Sequence, residues 1–196
     1  MTLIDLSLPL SSGMQVYPGD VETSIRPLDS PAIMNAGWTA HNVAMSLHAG
    51  THIEAPAHSI SGGKRIEDYP LETFRGKAAT IGWEDVGRCE VRAPILLLHS
   101  GADRWFGEER YLTPTTLTQW EAEWIGEQGI RILGLDILTV GDINIHRLIQ
   151  IKEVLIVEGM CNLDRLLHRD AVVSLFPLSF KGVEASPVRA VGEVKE

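Results

Sequence analysis

Cysteine is nearly absent from this chain: Cys89 and Cys161 stand far apart, with no CxxC spacing. That excludes a disulfide framework and a zinc ribbon, and it leaves two reduced thiols. Positive charge is also scarce, with 17 basic against 26 acidic residues and a formal net charge of -9. Such a surface repels a nucleic-acid backbone or an anionic membrane, so neither is expected as a partner. No stretch approaches the ~20 apolar residues that span a bilayer. The opening MTLIDLSLPL has no basic segment ahead of a long apolar run, so a cytoplasmic protein is expected. GxSxG is missing and the cysteines lie away from any His-rich segment, which argues against a serine or cysteine nucleophile.

Internal repeats, low-complexity tracts and long charge blocks are missing too, so no linker is indicated and residues 1–196 are expected to form one domain. With 196 residues, 44% of them hydrophobic, the chain can bury a continuous core. Up to Gly63 it is rich in Pro, Gly and Ser, with turn signals such as Tyr17-Pro18-Gly19-Asp20, which suits irregular strands and loops. A short strand is expected over residues 42–47.

Residues 95–98 are apolar without alternation, the pattern of a strand buried on both faces. Thr113 is placed to cap a helix with Pro114 in its first turn. Leu117, Trp120, Trp124 and Ile125 share one face of that helix, and Gly126 and Gly129 end it. A strand follows over residues 130–135. Asp142 caps a second helix carrying Ile145, Leu148 and Ile149, and residues 154–157 form another buried strand. The order β-α-β-α-β implies parallel strands, whose carboxyl ends gather ligands; His99, Asp136 and Glu158 sit at such ends. Residues 172–180 and 188–194 read as two more strands. The expected fold class is therefore α/β, with a mixed, partly parallel sheet and flanking helices.

Chemistry concentrates in one strip, HAGTHIEAPAH, where His48, His52, Glu54 and His58 alternate with Gly50 and Pro56. The spacing of His48 and His52 would suit one helix face. Gly50, Thr51 and Pro56 instead favour an extended chain. A straight strand would hold His48 and His52 roughly 13 Å apart, so the chain must bend near Gly50 for both imidazoles to reach one ion. His52 and Glu54, about 7 Å apart along a strand, can reach the same cation. Imidazole with carboxylate suits Zn²⁺ ahead of Mn²⁺. Pro56 fixes the backbone beyond, placing His58 nearby as a general base.

The strip resembles the HxGTHxDxPxH signature of the cyclase family, which includes bacterial kynurenine formamidases and isatin hydrolases. Further landmarks agree along nearly the whole chain: Asp5-Leu6-Ser7 with Pro9-Leu10, Tyr17-Pro18-Gly19-Asp20, Pro70-Leu71 with Phe74 and Gly76, Gly134-Leu135-Asp136, and Ser186-Pro187-Val188-Arg189. The resemblance implies a swivelling β/β/α fold. It implies that His48, His52 and the carboxylate at 54 bind a first metal and that His58 is the acid/base. It also implies that His146 and Glu158 hold a second metal bridged by residue 54, and that the protein is a homo-oligomer, a dimer or tetramer. One departure is evident: Glu54 stands where the family usually has Asp, which leaves one or two ions per chain as the expectation.

The function implied is metal-dependent hydrolysis of a non-peptide amide, with an arylformamide such as N-formylkynurenine as substrate. A cyclic amide, a cyclising dehydration and a non-catalytic metal protein are the alternatives. Other residues read two ways. His99 and Asp136 either orient ligands or are hydrogen-bonded at strand ends. Tyr17, Trp38 and Trp105 either wall a planar substrate or pack in a core or interface. Arg189 orients a strand or binds an acidic group, and His41 and His168 are surface residues.

Overall fold

The computed structural model describes residues 1–195. In chain order its strands are β1 (Thr2–Asp5), β2 (Ser24–Pro27), β3 (His41–Ala44), β4 (His52–Glu54), β5 (Arg75–Gly82), β6 (Ile95–His99), β7 (Ile132–Leu135), β8 (Leu155–Glu158), β9 (Ala171–Ser174), β10 (Ala185–Pro187) and β11 (Val191–Val194). The helices are α1 (Pro31–Asn35), α2 (Gln119–Glu127) and α3 (Ile143–Gln150). Among the described residues, nine strands form one sheet in the order β1-β11-β9-β5-β6-β7-β8-β4-β10, while β2 and β3 form a separate hairpin. The pairs from β5 through β8 are parallel; the flanking pairs are antiparallel. The sheet is thus mixed and partly parallel, as expected.

The uninterrupted apolar runs follow from burial on both faces. Ile95 and Leu97 of β6 join one core with Ile132, Leu155 and Val157. Leu96 and Leu98 join the other, with Leu133, Ile156, Ala122 and Ile125 of α2, and Ile149 of α3. Successive side chains on a strand point to opposite faces, so a strand covered on both sides needs no polar position. The first core also receives Ile4 from β1 and Ile53 from β4, strands toward opposite ends of the order. The sheet therefore curls. The same conclusion follows from β10 and β11, which lie at opposite sides of the order yet are joined only by residues 188–190. Fully burying one such Leu or Ile contributes roughly 1.5–3 kcal/mol.

Several expected elements are shifted. The first long helix is capped by Thr118 rather than Thr113. The sequence T-x-x-E at 118–121 closes a reciprocal box, with the Glu121 N–H donating to Thr118 Oγ1 at 3.3 Å and the Thr118 N–H donating to Glu121 Oε2 at 2.7 Å. The Thr113 N–H instead donates to the Arg110 carbonyl and closes a 3-10 turn. Trp120 consequently lies outside the core face and is exposed. Gly126 falls inside this helix, and Gly129, at a φ of +68°, follows it. The strand expected at 42–47 ends at Ala44 in the exposed hairpin; a turn follows, in which the His48 N–H donates to Ser46 Oγ at 3.2 Å. The strand expected at 172–180 stops at Ser174, and 188–194 contributes β11 only. No helix among the described residues is long and apolar enough to cross a membrane.

Candidate metal centre

The centre is assembled around β4, which lies between β8 and β10. His52 and Glu54 are two residues apart and so share a face, and in the register with β8 His52 stands opposite Glu158. His48 reaches the same point from the preceding turn because the chain bends at Gly50, whose φ is +66°. A second positive-φ glycine, Gly159, lies directly after Glu158. A Cβ there would stand 2.5 Å from the Gly50 carbonyl oxygen, so this close approach of two loops demands glycine. Thr51 ties the junction, donating its hydroxyl to the Gly159 carbonyl and accepting the Leu8 N–H at 2.8 Å.

The remaining members arrive by turn and helix chemistry. Pro56 opens a 3-10 turn that ends on His58, its fixed φ suiting the first position. Asp142 caps α3 as expected, accepting the N–H groups of Asn144 at 2.8 Å and Ile145 at 3.2 Å. His146 then sits in the first turns of that helix and faces β4 and β8.

The distances describe one compact donor set. Glu54 Oε1 lies 2.7 Å from His48 Nδ1, 3.4 Å from His52 Nε2 and 3.7 Å from His58 Nε2. His146 Nε2 lies 3.4 Å from both Glu54 Oε2 and Glu158 Oε1, and Glu158 Oε2 lies 3.7 Å from His52 Nε2. Two imidazoles are held by backbone carbonyls: His52 Nδ1 donates to the Gly50 oxygen and His146 Nδ1 to the Asp142 oxygen, both at 3.0 Å. Such a bond orients each ring and leaves each Nε2 facing the carboxylates. Glu158 Oε1 also accepts the Val140 N–H at 2.6 Å.

These groups are almost wholly enclosed, with His52 2%, Glu54 1% and Glu158 4% exposed. Burial alone would raise the Glu54 pKa, but the neighbouring imidazoles of His146, His48 and His52 outweigh it and hold the carboxyl well below its usual range. Burial likewise opposes the charged form of His146, yet Glu158 and Glu54 push its pKa up to about 11. His48 is raised for the same reason, burial being outweighed by Glu54 and Glu184. His58 moves the other way: burial comes first, and the neighbouring His48 and His146 also lower it, against the pull of Glu54 and Glu158. The cluster thus holds three imidazoles facing acceptors and one held neutral.

The donor set fits a divalent cation. Glu54 Oε2 is buried and accepts no hydrogen bond among the described residues, an orphan that costs roughly 1–3 kcal/mol unless a partner is supplied. Donor atoms of His48, His52 and Glu54, and separately of Glu54, His58 and His146, lie within 4.8 Å of one another. Imidazole and carboxylate at this density are ligands of Zn²⁺-type sites.

The sequence reading missed Glu184, whose Oε1 lies 3.3 Å from His48 Nε2. It precedes β10, whose Ala185 and Ser186 pair with Glu54 and Ile53; an acidic residue just before Ser186-Pro187 was the available signal. Tyr17 and Asp20 join the histidines in lining a cavity of about 400 Å³, so Tyr17 does wall the site. Trp38 is exposed, and the Trp105 ring carries the guanidinium groups of Arg104 and Arg110 at 4.4 and 4.1 Å. Asp136 is fully buried but accepts the N–H groups of Ser100 and Gly101 and the Ser100 hydroxyl. It holds a turn, with His99 3.9 Å away. Arg189 forks onto Asp5 at 2.8 and 2.7 Å, tying β1 to the segment before β11. His41 and His168 lie on the surface, as expected.

An α/β sheet that delivers this donor set to one cavity defines a class of protein equipped to hold a divalent cation. A family model described as "Putative cyclase" matches residues 4–142, and the chain belongs to this Cyclase family. It is 30% identical over 215 residues to a kynurenine formamidase of Paracidovorax citrulli, covering 96% of this chain and 95% of that protein. It is 28% identical over 205 residues to the kynurenine formamidase of Bacillus cereus, with the same coverage. Among solved structures, isatin hydrolase A from Labrenzia aggregata bound to benzyl benzoate superposes with a TM-score of 0.84 at 20% identity, covering 100% of this chain and 94% of that one. This likeness shows the fold.

Proposed function

We propose that this chain is a metal-dependent amidohydrolase that cleaves an arylformamide, N-formylkynurenine, to an arylamine and formate, as in tryptophan catabolism. The observation that carries the reading is the convergence of His48, His52, His58, His146, Glu54 and Glu158 on one cavity, with Glu54 Oε2 buried and unsatisfied. His48, His52 and Glu54 would hold one ion, and His146 and Glu158 would hold a second that shares Glu54. Zn²⁺ suits this nitrogen and oxygen set ahead of Mn²⁺. A bound divalent cation supplies Lewis-acid polarisation of a carbonyl and acidifies water.

The protein side of the chemistry falls to His58. Its imidazole lines the cavity, and burial with two neighbouring histidines keeps it unprotonated near neutral pH. It accepts the proton of the attacking water at its free imidazole nitrogen and returns it to the departing amine nitrogen, so that the C–N bond breaks without expelling an amide anion. The cavity of about 400 Å³ falls within the range of small-molecule sites, and the Tyr17 ring offers a planar substrate a wall.

Homology over almost the full chain to two kynurenine formamidases supports the substrate class, and the two free thiols support a cytoplasmic setting. Homo-oligomerisation is part of the same proposal. Met34, Trp38 and Val43 are strongly exposed on and beside the β2–β3 hairpin, and apolar surface of this kind suits a subunit contact. The test of the activity is formate release from N-formylkynurenine by zinc-loaded protein, with and without chelator. Chelator-sensitive formate is expected. Opening of isatin with no formate from the formamide would move the assignment to cyclic amides, and full turnover by metal-free protein would end it.

A further inference from the structure

A second cavity, of about 470 Å³, shares His48 and His58 with the first. The two spaces therefore meet at the imidazole pair, one reaching back to Glu158 and the other running out past Ser61, Gly62 and Gly63. Its walls carry charges of opposite sign. Arg65 and Glu184 both line it, and Arg65 makes no ion pair among the described residues. Glu184 directs Oε1 to His48 Nε2 at 3.3 Å, which leaves its second oxygen for another donor.

The backbone fixes both residues. The Ala55 N–H donates to the Glu184 carbonyl at 2.8 Å, and the Ile66 N–H, next to Arg65, donates to the Val183 carbonyl at 3.3 Å. The loop carrying Arg65 is thus laced to the loop carrying Glu184, and the Gly182 N–H donates to Glu67 Oε1 at 2.7 Å in the same seam. Two opposite charges are held on adjoining loops with their backbone geometry already set, which lowers the ordering cost of binding. A simple anion would meet the Glu184 carboxylate, and a simple cation the Arg65 guanidinium. A group carrying both charges satisfies both residues.

We infer that this second cavity is a subsite for a zwitterionic α-amino-acid tail, with Arg65 receiving the carboxylate and Glu184 the ammonium of a substrate whose formamide lies beside His58. This deepens and rests on the formamidase reading, and it makes Arg65 and Glu184 the residues that select an amino-acid arylformamide over a neutral one. Charge-assisted hydrogen bonds of this kind are worth about ten- to a hundredfold each in affinity.

Calorimetric titration of zinc-loaded protein with L-kynurenine, its decarboxylated analogue and its deaminated analogue tests the assignment without depending on turnover. The wild type is expected to bind L-kynurenine about ten- to a hundredfold more tightly than either analogue. Arg65→Ala should erase the preference over the decarboxylated analogue while keeping that over the deaminated one, and Glu184→Gln should do the reverse. Arg65 is exposed, so its truncation leaves the core intact and the comparison stands even if Glu184→Gln disturbs His48. Equal binding of all three ligands, an even loss across them in Arg65→Ala, or no binding of L-kynurenine overturns the inference. Failure of the formamidase reading shows separately, as absence of formate release.

Discussion

Two carboxylates lie near the carboxyl ends of the sheet's strands, both buried and both beside histidine, yet they are built for different ends. Asp136 accepts two backbone N–H groups and a hydroxyl from a single turn, and its one histidine stands 3.9 Å away. Glu54 touches four imidazoles, accepts no backbone N–H, and leaves Oε2 without a hydrogen bond. The electrostatics diverge accordingly. Burial dominates at Asp136 and raises its pKa, although Ser100, Gly101 and His99 pull the other way. At Glu54 the histidines win over burial and lower it. A carboxylate satisfied by local backbone is holding structure; one surrounded by side-chain donors with an oxygen to spare is holding a place for something else.

Substitution should separate these roles most sharply at the histidines. His52→Ala is expected to lose metal and nearly all formate release. His58→Ala should keep metal by plasma emission analysis but lose about a hundredfold to ten-thousandfold in kcat. Equal metal loss in both would place His58 among the ligands and break the division. Asp136→Asn is expected to lower stability by about 1–3 kcal/mol in urea unfolding while leaving metal content at the wild-type level; loss of metal with intact stability would reverse the comparison.

A backbone test comes next in size. Gly159→Ala forces a Cβ to 2.5 Å from the Gly50 carbonyl at a φ of +63°, which should cost about 1–3 kcal/mol and weaken metal binding by displacing both Glu158 and the Gly50 bend. A variant with wild-type melting and metal affinity would show that the two loops are not mechanically joined.

The smallest effects are in pH. The Glu54 pKa is depressed, so in metal-free protein its contribution is present above the ordinary value of 4.5 and fades as pH falls through the lower folded value. The Asp136 pKa is raised, so its contribution is present below 3.8 and fades as pH climbs through the higher folded value. On acidification, the wild type's advantage over Glu54→Gln should therefore shrink, and its advantage over Asp136→Asn should grow, in unfolding titrations across the acid range. Parallel trends would contradict the contrast. The acid limb of the activity profile is a companion check: His58 is lowered from 6.5, so activity should persist below that pH and fall only as the imidazole is finally protonated. An inflection above 6.5 would mean that another group governs the limb.

Much of this was legible in the chain itself. The strip from His48 to His58 is local in sequence, and the bend at Gly50 and the extended chain at His52–Glu54 were legible, although a turn carries His48 and a 3-10 turn carries His58. The buried strands were legible because uninterrupted apolar runs have few other uses. Asp142 gave away α3 by its cap. Competing signals hid the start of α2: Thr113-Pro114 looks like a helix entry, but Thr118 with Glu121 satisfies more backbone donors. Tyr17 could be read two ways, whereas Glu184 and Asp20 were illegible as site residues because they reach the cavities from loops without periodicity. Their positions follow from the curl of the sheet, and no local pattern encodes that curl. The strand β2 and its pairing with β3 were hidden for a related reason, since these strands bury no face.

The central claim is that Glu54 and the imidazoles of His48, His52 and His146 exist to hold a divalent cation. Anomalous diffraction at the zinc edge from crystals of zinc-loaded protein tests this directly. The account predicts a peak between Glu54 and the imidazoles of His48, His52 and His146, lost in Glu54→Gln. A peak-free cluster with zinc bound elsewhere, or an undiminished peak in the variant, would contradict it.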